Sequence, residues 1–84
     1  MKQYNYRTSG VCSTNISFAI DDDDRLRDVE YTGGCNGNLK GIGALVEGMK
    51  ASEAADRLEG IRCGFKNTSC PDQLAQALKK TREA

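Results

Sequence analysis

The stretch GGCNGNLKGIGALVEGMK, Gly33 to Lys50, is where the chain changes its repeat, and the fold is decided there. Leu39, Ile42, Leu45, Val46 and Met49 fall on one stripe at helical spacing, which predicts a helix from about Asn36 to Met49. Its glycines each cost up to ~1 kcal/mol relative to alanine, so something must offset them. Close approach of the helix to a sheet or to another backbone is the simpler offset. A phosphate-cradling loop is the other, although GGCNGN lacks the Lys-Ser/Thr ending of a phosphate loop.

Before Gly33 the repeat is two. Tyr4 and Tyr6 alternate with polar residues, and Ile16, Phe18 and Ile20 do so more cleanly, so strands are expected at about 3 to 9 and 14 to 21. Arg27, Val29 and Tyr31 alternate in a third strand that stops at Gly33-Gly34. The four acids Asp21 to Asp24 between the last two strands read as a solvated hairpin turn rather than a cation site, because adjacent carboxylates do not converge on one point unaided.

After Lys50 two more helices are expected. Ser52 is placed to cap a short one carrying Ala54, Ala55 and Leu58, with Gly60 as its stop. Pro71, the only proline, marks the start of the last, which runs to about Arg82 with Leu74, Ala75 and Leu78 on its inner face. Asp72 in its first turn suits the positive end of the helix dipole. Three strands followed by three helices describe an α+β fold, a three-stranded antiparallel meander with the helices packed on one face.

Eighty-four residues make one domain, 1–84, close to the size at which a hydrophobic core alone is marginal. Twelve basic and twelve acidic residues give a net charge of zero, so the field that would hold nucleic acid or an anionic membrane is missing. No apolar run approaches the roughly 20 residues of a spanning helix, and MKQYNYRT offers no signal-peptide core, which makes the expected location cytoplasmic. Exposed edge strands leave dimerisation open.

In a reducing compartment, four cysteines and no histidine point to metal or redox work rather than stable disulfides. Cys12 lies in the turn SGVCST, Cys35 directly precedes the first helix, Cys63 sits in the loop IRCGFKNTSCPD, and Cys70 stands at or next to the N-cap of the last helix. None falls within an apolar stripe. Unsatisfied backbone N–H groups at a helix start favour thiolate over thiol, and two such starts aimed at one point would help to carry the charge of several thiolates. Zinc takes four thiolates at about 2.3 Å, and an iron–sulfur cluster can also use four. The candidate ligands are therefore Cys12, Cys35, Cys63 and Cys70, for zinc or alternatively a cluster. A redox-active dithiol of Cys63 with Cys70 is the other reading. There is no CxxC spacing, and no histidine to serve as a catalytic base.

The segments SGVCS, GGCNGNLKGI and GIRCGFKNTSCPDQLAQAL resemble, over essentially the whole chain, the TSCPD-domain family, whose motif is Thr68-Ser69-Cys70-Pro71-Asp72. The resemblance implies that Cys12, Cys35, Cys63 and Cys70 are the family's cysteine positions. Similar segments close some adenosylcobalamin-dependent ribonucleotide reductases, and stand-alone members are associated with ribonucleoside-diphosphate reductase. A more distant likeness runs to U-type iron–sulfur cluster scaffolds, whose three cysteines would match Cys12, Cys35 and Cys70 and whose middle helix would match ASEAADRLEG. The scaffold's aspartate after the first cysteine is replaced by Ser13-Thr14, its histidine before the last is Ser69, and its Leu-Pro-Pro-Val-Lys motif is missing. Cys63 is then the candidate for the lost ligand.

A complete reductase needs a catalytic barrel of several hundred residues, so no catalytic residues are expected in this chain. The implied role is a metal-binding accessory domain to ribonucleoside-diphosphate reduction, with the catalytic subunit as partner. The alternatives are a cluster-assembly or carrier protein with a cluster-assembly partner, and a nucleotide-binding module resting on GGCNGN at a helix start.

Overall fold

Alternation in the first third of the chain builds three strands, β1 (Lys2–Arg7), β2 (Ser13–Ile20) and β3 (Leu26–Gly33), paired antiparallel in the order β1-β2-β3. The computed structural model describes residues 1–83, with side chains as far as Thr81. Tyr4 lies opposite Phe18 in the register and their rings stack with centroids 5.3 Å apart. Ile16 and Phe18 are fully buried, as the alternation requires. Ala19 is buried as well, because the β2–β3 register shifts between Ser17 and Ala19 and such a bulge re-aims the side chains beside it.

The strands differ at their ends from the sequence reading. β1 stops at Arg7 rather than residue 9, since Thr8 donates its hydroxyl to the Ser13 carbonyl at 2.5 Å and Ser9 gives its N–H to the Gln73 side chain at 3.1 Å. The acidic turn is as expected. Asp21 Oδ1 accepts the N–H groups of Asp23 at 2.9 Å and Arg25 at 3.0 Å, while Asp22, Asp23 and Asp24 are exposed.

Three helices follow: α1 (Asn36–Val46), α2 (Ala51–Leu58) and α3 (Cys70–Glu83). α1 is three residues shorter than its apolar stripe. Gly48, at φ +80°, gives its N–H to the Leu26 carbonyl at 2.8 Å, and Leu26 gives its own to Met49 at 2.8 Å. Two bonds to the end of the sheet thus replace the continuation of the helix. The expected cap at Ser52 is also corrected. α2 begins two residues earlier with Lys50 at the N-cap, where no side chain caps it, and the Ala51 N–H is taken by the Asp24 carbonyl at 2.9 Å.

One cluster joins Ile16 and Phe18 of β2, Leu26 and Val29 of β3, Val46 of α1, Ala51, Ala54 and Ala55 of α2, and Leu74, Ala75, Ala77 and Leu78 of α3. The helices therefore share one face of the meander, and the fold is α+β. Fully buried Phe18, Ile16, Leu26, Leu74 and Leu78 each contribute about 1.5–3 kcal/mol by leaving water. The close approach expected from the α1 glycines holds at Gly43 alone. A Cβ there would stand 2.7 Å from the Val29 carbonyl oxygen, whereas one at Gly37 or Gly41 would meet nothing within 4 Å. Among the described residues no helix is long and apolar enough to cross a membrane.

Candidate metal centre

The start of α3 is held by its own sequence. Ser69 Oγ accepts the N–H of Asp72 at 3.1 Å, and the Ser69 carbonyl accepts the N–H of Gln73 at 2.8 Å, the signature of an N-cap. Cys70 is then the first helical residue and Pro71 the second, one place later than a proline at the opening position. Neither position has an intrahelical acceptor for its N–H, so Pro71 still costs nothing. Ser69 also donates to the Ile61 carbonyl at 2.6 Å.

Asp72 is 5% exposed and accepts from Thr68 Oγ1, from Gly60 N–H at 2.8 Å and from Gln76 Nε2 at 2.8 Å. Burial alone would raise its carboxyl. The three donors outweigh burial and hold it below the usual carboxylate value. Gln73, buried beside it, donates to Thr68 Oγ1 at 3.0 Å and accepts from Ser9 N–H. This network ties the Gly60–Thr68 connection and the β1–β2 turn to the first turn of α3, and so fixes Cys70.

Cys70 is 7% exposed and is the first residue of α3, so it belongs to the helix rather than to a connection. Its Sγ lies 3.1 Å from Ser13 Oγ and 4.0 Å from Cys12 Sγ, and its carbonyl accepts the Tyr31 hydroxyl at 2.8 Å. Burial, and after it the Cys70 charge, push the Tyr31 phenol up, so it stays a donor at any physiological pH. Neither Ser13 nor Tyr31 is a candidate site residue from the sequence. Tyr31 stands in the sequence as a strand residue, and Ser13 as part of the pair that takes the place of the scaffold's aspartate, without a role at Cys70.

Cys12 is exposed on the β1–β2 turn. The backbone N–H of Cys35 and then the Cys70 side chain lower its thiol pKa, against a smaller opposing effect of burial. Gly34 makes that approach possible. It sits at φ +78°, and a Cβ on it would lie 2.9 Å from Leu39 Cδ1 and 3.1 Å from Cys12 Sγ.

Cys35 is the N-cap of α1, with no side-chain cap bond, and its Sγ accepts from Asn38 Nδ2 at 3.3 Å. Cys63 is exposed on a tight loop closed by Cys63 N–H to the Thr68 carbonyl at 3.2 Å and Lys66 N–H to the Cys63 carbonyl at 3.0 Å.

All four cysteines line one open pocket of about 550 Å³, whose other walls include Ile42, Leu45, Ile61 and Pro71. The starts of α1 and α3 both open onto it. Only the sulfurs of Cys12 and Cys70 touch, and among the described residues no group of three or more His, Cys, Asp or Glu side chains stands close enough to hold an ion as placed. The sulfur in contact with Cys70 is that of Cys12 rather than Cys63.

Residues 2–82 match the family model of the TSCPD domain. The chain belongs to the TSCPD domain family. A comparison with curated proteins gave no significant match, and one with solved structures gave none either. In this TSCPD domain the motif has a mechanical meaning. Ser69 caps the helix, Thr68 and Asp72 bond across it, Pro71 fills a position that needs no N–H, and Cys70 is delivered to the pocket.

Proposed function

We propose that this TSCPD domain binds a zinc ion through Cys12, Cys35, Cys63 and Cys70, and acts as an accessory module to ribonucleoside-diphosphate reduction, docking on a reductase catalytic subunit. The observation that carries the reading is the 4.0 Å between Cys12 Sγ and Cys70 Sγ in a pocket that all four cysteines line. Thiolates on a tetrahedral zinc at about 2.3 Å stand about 3.8 Å apart, so this pair already has the spacing of two ligands. Bound zinc would neutralise thiolate charge and cross-link four separate segments.

The chain's own groups suit that role. The Cys35 N–H beside Cys12 favours its thiolate, the buried network under Cys70 orients that sulfur, and Cys35 and Cys63, both exposed, have room to turn inward. An iron–sulfur cluster is the second reading, with a cluster-assembly protein as partner, and the size and apolar walls of the pocket favour it, since a single ion needs far less space.

The test is elemental analysis and visible absorbance of protein purified without oxygen, followed by thermal unfolding with and without a chelator. One zinc per chain, no colour and a melting temperature that falls on chelation support the first reading. Brown protein with equal iron and sulfide supports the second. Metal-free protein that neither takes up zinc nor changes its melting temperature with it refutes both.

A further inference from the structure

We propose that in the metal-free chain Cys12 and Cys70 are a reactive thiol pair, which small disulfides such as oxidised glutathione convert to an intramolecular disulfide. The assignment rests on contact and on unequal exposure. The two sulfurs are 4.0 Å apart, and among the described residues no group of three or more His, Cys, Asp or Glu side chains gathers there. Cys12 lies on an exposed turn while Cys70 is 7% exposed. A disulfide reagent can therefore reach Cys12, and Cys70 is shielded from it but not from Cys12.

The order of events follows from that asymmetry. Cys12, as thiolate, attacks one sulfur of the reagent, forming the Cys12–glutathione bond and releasing one glutathione thiolate. Cys70 then attacks the Cys12 sulfur, forming the Cys12–Cys70 bond. Its proton leaves with the second glutathione, so two protein thiols give two electrons to one disulfide and two free thiols are released. The Ser13 hydroxyl, 3.1 Å from Cys70 Sγ, is placed to donate to that sulfur while it carries charge. The bond would join the β1–β2 turn to the start of α3 and needs no movement of the core, because Cys12 sits on the turn.

The test uses the full chain, reduced, stripped of metal and kept in chelator, so the result is the same whether the zinc reading stands or falls. It is incubated with oxidised glutathione, alkylated and digested with trypsin without reduction. Each cysteine falls in its own tryptic peptide: Thr8–Arg25, Asp28–Lys40, Cys63–Lys66 and Asn67–Lys79. The expected product is Thr8–Arg25 linked to Asn67–Lys79. C70S should accumulate the glutathione adduct on Cys12 at least fivefold over wild type, and C35S/C63S should still form the link. A dominant link through Cys35 or Cys63, or glutathione on Cys70 while Cys12 stays free, overturns the proposal. The wild-type digest decides the case even where a variant does not fold.

Discussion

Two helix starts face the same pocket and are built in opposite ways. At α3, Ser69 caps, Thr68, Asp72 and Gln73 are locked in a buried network, and the first turn carries an acid. At α1, Cys35 caps without a side-chain bond, the first turn has no acid, and Gly37 and Gly41 have empty space beside them. One start is complete within the protein. The other has its Cys35 N–H against the Cys12 thiol and its Cys35 sulfur against Asn38 Nδ2, with no side chain capping the helix. The difference separates what holds the site from what waits for a ligand: Cys70 is positioned by the fold, and Cys35 is left free to respond.

The largest effect should come from breaking the complete side. Asp72→Asn keeps the volume but turns an amide toward Thr68 Oγ1, Gly60 N–H and Gln76 Nε2, all donors. One or two buried donors then lose their acceptor, and a loss of about 2–4 kcal/mol is expected in urea unfolding. The pH dependence sharpens the point. The Asp72 carboxyl lies lower in the folded chain than its unfolded value of about 3.9, so its stabilisation is complete above that value and is lost as the pH falls through the folded one. Wild type should lose stability more steeply than Asp72→Asn below about pH 4. Asp21, whose carboxyl is lowered chiefly by the Arg25 N–H, titrates in both proteins and cancels from the difference. Equal acid slopes would show that the α3 network does not depend on the charge.

A smaller loss is expected where α1 meets the sheet. Gly43→Ala gains up to ~1 kcal/mol in helix propensity but drives a Cβ to 2.7 Å from the Val29 carbonyl oxygen, and backbone cannot swing aside as a side chain can. Overpacking of this kind costs about 1–3 kcal/mol, so the net should be a loss of about 1 kcal/mol by thermal or urea unfolding. A neutral result would mean that the second half of α1 is no more firmly seated than its first.

The same contrast governs what the sequence disclosed. The period-two run through Ile16 and Phe18 and the stripe through Leu39 and Val46 are local patterns, and the order of elements follows from them. The end of α1 is not local, because Gly48 and Met49 are claimed by Leu26, a residue more than twenty positions earlier. Ser52 looked like a cap on composition, but the Ala51 N–H was already taken by Asp24. At the site, Cys70 beside a helix start was legible from Pro71, and its meeting with Cys12 follows from helix and turn sharing one end of the fold. The support beneath Cys70 was partly legible. Ser69 and Asp72 have the spacing of an N-cap and its third helical residue, whereas Ser13 and Tyr31 reach Cys70 only through the strand pairing. Cys63, near Cys70 in sequence, reaches the same pocket from a loop closed on Thr68 and Lys66, and the sulfur that contacts Cys70 is nonetheless that of Cys12.

The open side should answer differently. Gly41→Ala in α1 meets no atom within 4 Å and sits at a helical position of ordinary φ, so it should stabilise the metal-free domain by up to ~1 kcal/mol, seen as a rise in melting temperature. Gly41 also lines the cysteine pocket, and the added methyl enters open space on that side rather than the core. A chain selected for stability alone would carry alanine there. If the pocket serves a metal or a partner, the variant should be more stable than wild type when empty and hold zinc more weakly, the two measurements moving in opposite directions. Gains in both would show that the glycine has no part in the site, and would leave the bareness of the α1 start unrelated to what the pocket binds.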